Sequence, residues 1–80
     1  MPTVLNLGEY RFYFYSRENG EPPHIHVERG DMLAKYWLEP LELASWKRFR
    51  AHELTAIRVL VSEHHEQFLK AWHEHFDAEY

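Results

Sequence analysis

The 80-residue sequence contains no cysteine, so neither a disulfide framework nor a thiolate metal site is open to it. Glycine is scarce as well. Its three residues stand singly at Gly8, Gly20 and Gly30, which excludes a glycine-rich loop that cradles phosphate. No apolar run approaches the ~18 residues of a membrane span, and no basic-then-apolar leader opens the chain. A cytoplasmic address is therefore the expectation, with no membrane partner. Without cysteine, and with no serine in a nucleophile elbow, covalent catalysis has no evident nucleophile. Internal repeats and low-complexity segments are missing too.

What is present is apolar and aromatic. Hydrophobic residues make up 45% of the chain and aromatics 16%, too many for a disordered polymer. A chain this short buries only roughly 60% of its unfolded surface, so residues 1–80 are read as one domain around one core. The formal charge of −4 is unevenly placed. Residues 1–50 carry seven acids and seven bases, whereas residues 51–80 carry six acids against Arg58 and Lys70. Any nucleic-acid contact is expected in the first fifty residues.

From Val4 to Leu38 the chain alternates with period two and is punctuated by turn residues, the pattern of antiparallel strands. Four strands are predicted, at about residues 3–7, 10–16, 24–28 and 32–38. The second, "YRFYFYS", is rich in β-favouring aromatics, with Tyr10, Phe12 and Phe14 on one side and Arg11, Tyr13 and Tyr15 on the other. Asn19-Gly20 suits a turn with positive φ, and Pro22-Pro23 imposes an extended approach to the third strand. "PLELASW" reads as one helical turn. A helix is predicted over about residues 51–77, where Leu54, Ile57, Val61, Phe68, Trp72 and Phe76 recur at helical spacing and His65 fills the one gap. At 1.5 Å per residue it would span roughly 39 Å, longer than the strands, so it either overhangs the sheet or breaks near 62–65. One long helix is preferred. Its overhanging end, bearing Phe68, Trp72 and Phe76, would need another surface, which predicts a dimer or a partner protein.

The block "EPPHIHVERG" places His24 and His26 on one face of a strand, with Ile25 and Val27 on the other. Three readings of that pair stay open. Two imidazoles about 6.6 Å apart along a strand can grip a divalent metal but need a third ligand, for which Glu28, Asp31 and His52 are the candidates. They can also act as acid and base in metal-independent RNA cleavage, with Arg11 or Lys35 holding the phosphate. The bland reading makes them part of a semi-exposed amphipathic face with Arg11, Tyr13, Tyr15, Lys35 and Trp37. Such a platform stacks single-stranded bases, with "WKRFR" at 46–50 as an extension, and equally suits protein interfaces; beside an acidic helix, protein contact ranks above RNA. His52, His64, His73 and His75 are expected in solvent and His65 at a partly buried seam. No two of these five form an i, i+4 zinc pair.

Three stretches, "MPTVLNLGEYRFYFYSRENGEPPHIHVERGD", "AKYWLEPLELA" and "HELTAIRVLVSEHHEQFLKAWHEHF", together resemble the small bacterial domain-of-unknown-function family DUF4160 over nearly the whole chain. Its most specific pieces here are the Arg-aromatic run at 11–15, Pro-Pro-His-x-His at 22–26 and Lys-aromatic-Trp-Leu-acid-Pro at 35–40. The resemblance implies a gene beside a second small family, in a toxin-antitoxin-like pair, with His24, His26, Lys35 and Trp37 as the working surface. The departure is Arg50, where similar proteins tend to have Ser at the helix start. Arg cannot accept the first-turn N–H bonds, so that turn is expected to fray or be capped differently. The combined expectation is an α+β domain acting through protein association, with RNA and metal chemistry as rivals and enzymatic activity undecided.

Overall fold

The computed structural model describes residues 3–15 and 20–76. Five antiparallel strands follow one another in chain order across a single sheet: β1 (Thr3–Leu7), β2 (Tyr10–Tyr13), β3 (His24–Arg29), β4 (Met32–Leu38) and β5 (Leu41–Lys47). Two helices complete the chain, α1 (Ala51–Glu63) and α2 (His65–Phe76). The α+β class is as predicted. Two of its parts differ from expectation, a fifth strand and a divided helix.

Tight turns set the meander. Gly8 and Gly30 take positive φ at the first central position of the β1–β2 and β3–β4 hairpins, a position a type II′ turn reserves for glycine. Glu39 and Pro40, joined by a cis peptide, close the two-residue turn from β4 to β5 in the manner of a type VI turn. That turn sends "LELASWK" back along β4 as a strand, where one helical turn was expected. Leu41 and Leu43 lie opposite Leu38 and Tyr36 and bury against the core. Pairing with β4 then gives the gain that isolated Leu, Glu and Ala would have found in a helix. The register slips by one residue at Ala44, a β-bulge on the outermost strand.

Phe12, Ile25, Val27, Ala34, Tyr36 and Leu38 point to the helices and are at most 4% exposed. α1 contributes Ile57 and Val61 to them, and α2 contributes Phe68, Trp72 and Phe76. The predicted single helix breaks at His64, whose φ and ψ of −110° and 17° end α1. The backbone N–H of His64 bonds to the Leu60 carbonyl at 3.1 Å, and its own carbonyl receives Phe68 N–H at 3.0 Å, so little helical bonding is lost. The neighbouring His65 Nε2 donates to the Leu38 carbonyl at the end of β4, a half-buried seam as expected.

This break removes the overhang. Phe68 stacks on Phe12 with centroids 5.2 Å apart, while Trp72 and Phe76 each lie 5.4 Å from Phe14. All three are buried inside the chain, so the predicted need for an external surface to cover them does not arise. α1 does begin at Arg50 without a capping side-chain oxygen, and its backbone N–H instead donates to Glu53 Oε1 at 3.0 Å, the reciprocal half of a capping box. The predicted second strand ends its ladder at Tyr13. Its last residue, Ser16, lies outside the described residues, as do Asn19 of the predicted turn and Asp77 of the predicted helix end.

Candidate functional site

The sheet face away from the helices carries the predicted platform, because antiparallel register places like-facing residues side by side. Tyr13 lies opposite His26, His26 opposite Lys35, and Lys35 opposite Ser45; in the row on one side Arg11 meets Glu28, and in the row on the other, at the start of β3 where Trp72 of α2 reaches the imidazole, His24 meets Trp37. The rings form one connected set. His26 stacks on Tyr13 at 5.3 Å and meets Tyr15 edge-on at 4.8 Å. Burial, reinforced by a hydrogen bond with Tyr15, pushes the Tyr13 phenol well above its ordinary range, and Arg11 offsets only part of this.

The two predicted cations of this face, Arg11 and Lys35, are already matched. Arg11 is ion-paired with Glu28, donates to Thr3 Oγ1 at 3.0 Å and lies 4.2 Å over the Tyr13 ring. Lys35 Nζ sits 2.6 Å from Glu21 Oε1 and 4.4 Å over Trp37. Either cation would have to leave a carboxylate before it could hold a phosphate. Glu21 was not anticipated, since a loop acid fourteen residues before its partner leaves no periodic signal.

The two candidate histidines are neighbours, with rings perpendicular at 5.1 Å, but their surroundings differ sharply. His26 is half-buried on the open face. His24 is 0% exposed, enclosed by Trp37 at 5.5 Å and by Trp72 of α2 at 4.7 Å. Its Nδ1 lies 2.9 Å from the Pro22 carbonyl, and because a carbonyl only accepts, Nδ1 carries the proton. The ring is thus sealed where no substrate reaches it, and the acid–base pair expected from spacing alone is reduced to one accessible member. Among the described residues no group of three or more His, Asp or Glu is placed to hold a metal ion. Of the candidates for a third ligand, Glu28 is bound to Arg11 and Asp31 to Arg48.

"WKRFR" does not extend the platform as a unit. Lys47 stands opposite Leu33 on β4, Trp46 opposite Ala34, Arg48 pairs with Asp31, and Phe49 turns into the core at 5% exposure. The missed strand instead brings Ser45 and Lys47 to the face. With Tyr13, Tyr15, His26, Leu33, Lys35 and Trp46 they line a depression of about 270 Å³. A larger hollow of about 540 Å³ lies between β1 and α2, lined by residues such as Val4, Gln67, Lys70 and Glu74, and it touches none of the predicted site residues. Of the other histidines, His52 and His73 are exposed as expected, whereas His64 and His75 are partly buried.

Fold and face together define a small α+β domain with an open five-stranded antiparallel sheet. The chain belongs to the DUF4160 family, described as "Domain of unknown function (DUF4160)", which it matches over residues 9–73. No curated protein and no solved structure matches it. No helix among the described residues is long and apolar enough to cross a membrane.

Proposed function

We propose that the protein is one component of a two-gene, toxin-antitoxin-like module and acts by binding a partner protein on the open face of its sheet. The observation that carries this reading is the composition of that face, an aromatic and imidazole platform whose cations Arg11 and Lys35 are held by Glu28 and Glu21. Tyr, Trp and Arg are the residues that anchor protein interfaces. A run of phosphates, by contrast, draws its affinity from uncompensated Lys and Arg. The α2 aromatics Phe68, Trp72 and Phe76 are buried and so offer no dimer surface of their own.

The rival reading is a metal-independent ribonuclease with His26 as its accessible imidazole. Light scattering on the protein alone and mixed with the product of the adjacent gene tests the association. A complex or a self-dimer is expected, and its loss on His26→Ala with Tyr15→Ala would place it on this face. A strictly monomeric protein that ignores the neighbour, yet cleaves RNA only while His26 is intact, would overturn the proposal in favour of the ribonuclease.

A further inference from the structure

Within the open face one place differs from its surroundings. The depression beside Ser45 gathers Tyr15 and Leu33, which are 45% and 39% exposed; the exposed Trp46 lies opposite core-facing Ala34 and so directs its side chain to the other face, and the exposed Val59 lies apart on α1. Solvent-exposed apolar side chains cluster in this way where a ligand removes them from water. The floor is low because Ser45 is small between larger neighbours. On the rim, Lys47 makes no ion pair among the described residues, in contrast to Arg11, Lys35 and Arg48.

Resting on the association proposed above, we infer that this depression is an anchor site for a single large apolar side chain, preferably aromatic, on a partner segment that also carries a carboxylate. Three observations select that occupant. An open depression of about 270 Å³ admits one large side chain. The exposed Tyr15 and Leu33 supply the apolar walls that an anchor residue needs. Lys47, an ammonium with no ion pair among the described residues, suits one carboxylate, whereas a nucleic-acid strand presents a phosphate at every nucleotide. The anchor then sets affinity through burial, and Lys47 sets orientation and on-rate.

The test uses the whole 15N-labelled protein and a capped pentapeptide with one tryptophan between two pairs of glutamates. Saturable shifts in the amides of Tyr15, Leu33, Ser45 and Lys47 are expected. Replacing the peptide's tryptophan by alanine, or its glutamates by glutamines, should weaken binding at least about fivefold. Ser45→Trp fills the depression and Lys47→Glu reverses the rim charge. Both positions are exposed, so both variants should keep the parent spectrum while losing about tenfold or more in affinity. Equal binding of the control peptides, undiminished binding by both variants, or tighter binding of a short oligouridylate would overturn the inference. If the variants still associate with the adjacent gene's product as the parent does, the anchor lies elsewhere and the association reading survives. If the parent itself binds neither that product nor a second copy, it is the association reading that fails.

Discussion

At the scale of the residue, the two histidines of one motif do different work. His24 fills a closed space beside Trp72 of α2 and donates from Nδ1 to the Pro22 carbonyl, so its removal leaves a cavity and breaks that hydrogen bond. His24→Ala is expected to lower unfolding free energy by about 2–4 kcal/mol, whereas His26→Ala, on the half-buried face, should cost about 1 kcal/mol or less. Urea denaturation of the two variants checks the contrast, and equal losses would show that His24 is not the structural member. Any activity lost with His24 must therefore be compared with its stability before a catalytic role is assigned. The sequence shows why the two were confused: the period-two pattern fixes which face a residue leaves, and it does so for His24 and His26 alike. It says nothing of Trp72, forty-eight positions away, which closes over only one of them.

At the scale of the element, the strand pattern from Thr3 to Leu38 was legible because each strand has one buried face, and alternation records that directly. β5 was not legible. The bulge at Ala44 interrupts the alternation of "LELASWK" midway, and its Leu, Glu and Ala favour helix until β4 is present to pair with them. Ser45 and Lys47, which complete the candidate site, were hidden by the same misreading. The helix break was legible only as a length mismatch, since no proline or glycine marks His64. The link between β5 and α1 has its own signature. Arg48 holds φ at +70°, in the left-handed region that side chains avoid, so that Phe49 turns into the core and α1 can begin. Arg48→Gly is accordingly expected to be more stable than Arg48→Ala by about 1 kcal/mol, the reverse of the usual order inside regular structure. Thermal melts of the two variants give the comparison. Both lose the exposed pair with Asp31, so that contribution cancels between them.

At the scale of the whole molecule, two phenols tie the fold to pH. Burial raises Tyr13, on the open face, and Tyr36, which donates to the Leu54 carbonyl at 2.7 Å across the sheet–helix interface. In the unfolded chain each would ionise near the ordinary value of 10.0. The folded state therefore keeps protons that the unfolded state gives up. The stability these groups contribute is whole below about pH 10 and drains away as pH climbs past it. Urea midpoints taken from about pH 8 to about pH 11 should fall steeply at the alkaline end, and Tyr13→Phe should flatten part of that fall. An unchanged slope in Tyr13→Phe would show that its phenol is not held neutral by the fold. The outer boundary of the molecule follows from the bulge in β5. A second sheet approaching that edge finds only three residues in register on either side of Ala44 before the row of free backbone groups is thrown out of step. The strand that widens the sheet thus carries its own stop signal, which limits growth at that edge by edge-to-edge pairing.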